Sequence, residues 1–200
     1  MKLNHTAIQA TQYWLKEIVI GENFCPFAKR EFERQKIRFV TVAPDNLSEL
    51  QALLAKEYAL LDNDPKSEWV TTTLVIFTPS SDHLSTTTKT LLDVQNFDEF
   101  LLITEEANWQ LTKLGYAGTY QLASFHPQYL FAGESIENPS HYTNRSPYPT
   151  LHIIREDSID RALKTFKQPD TIPENNITRA NQLGVQFFQK HLANALRLTR

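Results

Sequence analysis

The sequence predicts a mixed α/β fold: a small, largely parallel sheet with a β-α-β-α-β core, flanked by N- and C-terminal helices, with a long ordered loop after the third strand. Three observations predict it. β-Branched and aromatic runs at residues 37–43, 69–77 and 119–125 read as buried strands. Two segments of helical period lie between them, and strands alternating with helices argue for right-handed crossovers under helical cover. Residues 126–149 match neither period and exceed the roughly 12–15 residues of an ordinary structureless connection.

Thr6 and Gln9 have capping-box spacing, and Ile8, Thr11, Trp14, Leu15, Ile18 and Val19 then recur at helical period until Gly21, which predicts a left-handed stop. Pro26 suits the first turn of a short second helix, PFAKREFERQ, which places Cys25 at or beside its N-cap. The first strand, IRFVTVA, ends at Pro44, and the second, WVTTTLVIF, ends at Pro79. Between them Asn46 and Glu49 form a capping pair that opens a helix striped by Leu47, Leu50, Leu54, Tyr58 and Leu61. Asn96 and Glu99 repeat the device for a long helix with Phe97, Phe100, Leu101, Leu111 and Leu114 inward, stopped by Gly115.

The third strand, TYQLASF, leads into the long loop. Beyond it Asp157 or Ser158 caps a helix with Ile159, Ala162, Leu163 and Phe166 inward. Pro173 starts a last helix striped by Ile177, Ala180, Gly184, Phe187, Phe188, His191 and Ala195. Three strands are few for such a sheet, which points to a fourth in PTLHIIR. The run SSDHLSTTTKT reads as a surface loop.

The 200 residues, 41% of them hydrophobic and without an internal linker, suit one domain over residues 1–200. A net charge of −3 with scattered Lys and Arg leaves no electrostatic footprint for nucleic acid. The N-terminus lacks an apolar signal core, and no window approaches the roughly 18 apolar residues of a membrane span. With a lone cysteine, Cys25, this predicts a cytoplasmic protein with no membrane partner. Nothing in the sequence sets an oligomeric state.

The chemistry concentrates in the long segment. His126 follows a strand directly, and in open α/β sheets ligands bind outside the carboxyl ends of parallel strands. Asn144, Arg145 and Ser146 offer an amide, a guanidinium and a hydroxyl before rigid prolines, and a guanidinium fork suits a carboxylate or phosphate. Arg145 is equally suited to capping carbonyls inside its own loop, and His126 or His152 to a buried structural role. A thiol at a helix N-terminus, with Lys29 and Arg30 in the next turn, has its thiolate favoured, although Cys25 also fits a small packed hydrophobe. Zinc bound by Cys25, His126 and His152, with or without His141, is chemically allowed, but the spacings match no compact ligand pattern, so no metal is expected. Glycine-rich phosphate loops and zinc-protease or serine-hydrolase signatures are absent, so no cofactor is implied.

NFCPFA, QLASFHPQYLFAG and NRSPYPTLHIIRE, in this order, resemble the bacterial family catalogued as domain of unknown function 1415, over essentially the whole chain. The resemblance implies a bacterial source and a single domain, and places Cys25, His126, Tyr129, Asn144, Arg145, His152 and Arg155 within the family's pattern. It brings no reaction. FCPFAKR is also similar over seven residues to the cysteine motif of omega-class glutathione transferases, where a strand rather than a helix leads into the cysteine.

Two functions follow as expectations. One is an enzyme acting on a small anionic molecule, with Cys25 as nucleophile or redox thiol, His126 as general acid/base, and Arg145, Asn144, Tyr129, His152 and Arg155 binding substrate. The other is a non-catalytic domain that binds a small molecule or partner, with Cys25 merely packed.

Overall fold

The computed structural model describes residues 2–64, 66, 68–79, 93–166 and 168–198; the run at 80–90 lies outside them. One four-stranded sheet is formed by β1 (Ile37–Val42), β2 (Thr72–Phe77), β3 (Tyr120–Phe125) and β4 (Thr150–Arg155), in the order β1-β2-β4-β3. β1 and β2 are parallel, joined through α3 (Leu47–Asp62). β4 is antiparallel to both β2 and β3. The sheet is therefore mixed, and the expectation of a largely parallel core is corrected. The physical reason is the long segment after β3, which lets the chain reverse and insert PTLHIIR between β2 and β3.

The pleat sorts side chains to two faces. Leu74 lies opposite His152 and Val75 opposite Leu151. Val75, Phe77, Leu151 and Ile153 pack with Leu54 and Tyr58 of α3 and with Phe100 and Ile103 of α4 (Phe97–Lys113). On the other face Leu74 and Phe125 meet Trp14 of α1 (Lys2–Trp14), Phe24, Tyr142 and Phe188 of α6 (Ile172–Arg197). Covered on both sides, β2 is buried at every position. On the edge strand β1, Arg38 makes a two-pronged pair with buried Glu57 of α3, Nε to Oε2 at 2.8 Å and the second nitrogen to Oε1 at 3.0 Å.

Both predicted Asn caps are in place. Asn46 accepts from the Glu49 N–H at 3.0 Å, and Asn96 from those of Asp98 and Glu99. Gly115 ends α4 at φ 80°. The N-terminal helix differs from expectation. It begins at Lys2, before Thr6, and continues past Trp14 as a π-helical turn, Leu15–Ile20. Gly21 is right-handed, φ −59°, and the left-handed residue is Asn23 at φ 58°. α2 is Ala28–Glu33, shorter than PFAKREFERQ, with Cys25 a turn before it and bonded through its carbonyl to the Ala28 N–H.

α5 (Glu156–Thr165) starts directly from β4 without a side-chain cap, so neither Asp157 nor Ser158 caps it. α6 bends at Gly184, φ 73°. Leu47, Leu101, Leu114 and Ile177 are exposed, because the buried stripes of their helices are narrower than the runs of apolar residues. Among the described residues no helix is long and apolar enough to cross a membrane.

Candidate functional site

Most of the residues picked out by the sequence turn out to hold the long segment together. Both ring nitrogens of buried His126 are engaged by backbone: Nδ1 accepts from the Gln128 N–H at 3.0 Å, and Nε2 lies 3.2 Å from the Val94 carbonyl. Burial pushes its pKa below the ordinary histidine range. His141 is used the same way, Nδ1 accepting from Phe131 N–H and Nε2 facing the Ser135 carbonyl at 2.8 Å. The Nε of Arg145 donates to the Tyr129 carbonyl at 3.0 Å, while its guanidinium lies 4.5 Å from the Tyr142 ring centre. Asn144 is bonded to the Tyr129 hydroxyl and to the Ser124 carbonyl, so it too ties the loop to β3. Tyr142 then stacks on Phe188 at 4.9 Å, fastening the segment to α6.

Arg155 is buried at the far end of β4. It donates to the Leu61 carbonyl at 2.6 Å and to that of Asp64 at 3.2 Å. Its charge also faces the Asp64 carboxylate, which accepts from the N–H groups of Glu68, Trp69 and Val70. Burial alone would raise the Asp64 pKa, but those bonds and Arg155 hold it below the usual carboxylate range.

Cys25 and His152 belong elsewhere. Both line a cleft of about 770 Å³ between the sheet, the π-helical turn, α2 and α5. That volume is in the range of small-molecule sites, about 300–1,000 Å³. Its wall is apolar: Trp14, Leu15, Val19 and Leu74 are buried, and Phe125 and Phe166 close the sides. Ile37 and Thr72 place it beside the amino ends of the two parallel strands rather than their carboxyl ends. The crevice rule fails here because the neighbouring β4 runs antiparallel.

Residues 6–190 match the family described as protein of unknown function (DUF1415). The chain belongs to that family. Neither a curated protein nor a solved structure matches it. Within this family member the three motif segments divide by position: NFCPFA and the β4 part of the last segment border the cleft, whereas HPQYLFAG and NRSPYP form the fastened loop.

Arg30, Arg34, Lys36, Lys66, Arg161 and Glu31 are the charged side chains of the cleft, five basic and one acidic. Arg30, Arg34, Lys66 and Arg161 are exposed, which puts positive charge at the mouth and apolar surface within. Glu31 accepts from the Thr71 hydroxyl at 2.7 Å and lies 4.0 Å from Arg30, and Arg161 pairs with Asp157. Burial pushes the Cys25 thiol up, outweighing bonds from the Phe27 and Ala28 N–H groups, which works against the expected thiolate activation. Burial likewise pushes His152 down to about 4. Among the described residues no three His, Cys, Asp or Glu side chains converge as a metal site, and His126 does not join Cys25 and His152.

Sequence reasoning missed Arg34, Lys36, Lys66, Arg161 and Thr72. One signal was available, Arg30 and Arg34 one helical turn apart, with Lys36 two residues on, in the same segment as Cys25.

Proposed function

We propose that the chain binds a small amphipathic anion in this cleft, and that the Cys25 thiol is part of its wall rather than a nucleophile. One observation carries the reading: a chain of net charge −3 gathers five cations and one carboxylate around an apolar cleft. An apolar body is favoured within by burial, and an anionic head at the mouth by the basic rim. The expected clamp, Arg145, is occupied by its own loop.

Titration with 8-anilinonaphthalene-1-sulfonate, followed by displacement with decanoate, tests this. Saturable binding at one site is expected, weakened about tenfold in Arg34→Glu, which corresponds to about 1.4 kcal/mol. Absence of binding, or an unchanged affinity in Arg34→Glu, would defeat the proposal.

A catalytic reading draws on a different observation, that Cys25 and His152 line one cleft. It requires turnover of an anionic ester that is lost in both Cys25→Ala and His152→Gln while the fluorescent anion still binds.

A further inference from the structure

The hydrogen bonds behind His152 have a direction. The Ile153 carbonyl can only accept, so Thr72 Oγ1, 2.5 Å away, donates its single proton there. The same oxygen lies 2.6 Å from His152 Nε2 and is left to accept from it. The proton of the neutral ring is therefore on Nε2, and Nδ1 carries a lone pair. Among the described residues the side-chain bond of His152 runs through Nε2, and no group bonds to Nδ1. His152 is half-buried and is a wall of the cleft. With burial holding the imidazole neutral at neutral pH, Nδ1 is an acceptor and not a donor.

We infer that His152 is a specificity-determining residue that accepts a hydrogen bond from the ligand, so the cleft takes an amphipathic anion whose apolar body carries a hydroxyl or N–H group. This rests on the cleft being an anion-binding site. An all-apolar tail would bury Nδ1 against carbon and strip it of water without replacement. A tail bearing only acceptors would set lone pair against lone pair. A donor satisfies the last open atom of the chain Ile153–Thr72–His152, and a site built around such a bond rejects the analogue lacking the donor.

The test compares matched acids in the wild-type protein, each displacing 8-anilinonaphthalene-1-sulfonate. Alkanoates bearing a terminal hydroxyl, over a series of chain lengths, are set against counterparts with a methyl in its place. At the length that reaches Nδ1 the hydroxy acid is expected to bind at least about tenfold more tightly, a difference of about 1.4 kcal/mol. In His152→Leu that preference reverses. If methyl-terminated acids bind as tightly at every length, or if the preference survives in His152→Leu, the inference is overturned while the anion cleft stands. If neither the fluorescent anion nor any acid binds, both fall. Because the wild-type comparison needs no variant, a misfolded His152→Leu would not rescue the idea.

Discussion

Cys25 and His152 line the same cleft, whereas His126 packs at a tilt against Phe97 and Phe100 of α4, 5.2 Å from each ring centre. No thiolate–imidazolium pair between Cys25 and His126 is available. What surrounds the thiol is apolar wall from Leu15, Val19 and Phe27, and burial outweighs the neighbouring N–H groups.

Alkylation of Cys25 by iodoacetamide should therefore be slow at neutral pH, with a midpoint above the free-thiol value of about 8.5. His126→Ala should leave that midpoint in place. A midpoint below the free value would show an activated thiolate and favour the catalytic reading.

His126 and His141 each bridge two backbone groups in the long segment, and both are fully buried. Replacing either with alanine leaves an orphaned N–H and carbonyl together with a cavity, a cost of about 2–4 kcal/mol. At this chain length each kcal/mol moves the midpoint by roughly 2–4 °C. Thermal melts should fall accordingly, while binding of 8-anilinonaphthalene-1-sulfonate by the folded variants stays unchanged. Loss of binding in a still-folded His141→Ala would place the site in the loop after all.

The contrast between these histidines and His152 shows what the sequence could carry. Local chemistry was legible: the Asn46 and Asn96 caps, the Gly115 stop and the strands are set by neighbours within a few residues. Even the fourth strand could be located from PTLHIIR. Its direction could not, because antiparallel insertion between β2 and β3 depends on how the long segment turns back, and that depends on His141, Arg145 and Tyr142 meeting distant groups. For the same reason His126 and His152 looked alike in sequence. One faces two backbone partners and the other a cleft assembled from α2, α5 and the sheet, and no local pattern distinguishes them.

Acid should weaken the fold in two separate windows. Folded His152 has its pKa down at about 4, and folded His126 is also lowered, whereas an unfolded histidine titrates near about 6.5. From about 6.5 down to about 4 the unfolded chain takes up protons that the folded chain refuses, so stability falls as pH falls. His152 alone contributes on the order of 3 kcal/mol to this loss. Asp64 acts lower: its contribution is intact above the unfolded carboxylate value of about 3.9 and vanishes as pH drops through its lowered folded pKa. Urea midpoints at mildly acidic and neutral pH should converge in His152→Gln relative to wild type. Equal slopes in the two proteins would mean that His152 titrates normally.

Gly21 offers a test of the cleft's architecture, because the reason for glycine there is not the one that its place at a helix end suggests. Its φ is right-handed, so any residue could adopt the backbone angle. The obstacle is space: a Cβ at this position would lie 2.5 Å from the Glu17 carbonyl oxygen. The widened turn produces this approach, since the Gly21 N–H bonds five residues back to Lys16 at 3.0 Å and the Phe24 N–H five back to Val19 at 2.9 Å. Gly21→Ala must push that backbone apart, costing about 1–3 kcal/mol. Leu15 and Val19 of the same turn line the cleft, so affinity for 8-anilinonaphthalene-1-sulfonate should fall in the same variant. Gly115 is the control. There φ is 80° and nothing lies within 4 Å of an added Cβ, so asparagine, which tolerates left-handed angles, should be accepted at Gly115 but not at Gly21. If Gly21→Ala melts with wild type and binds as well, the close approach does not shape the cleft.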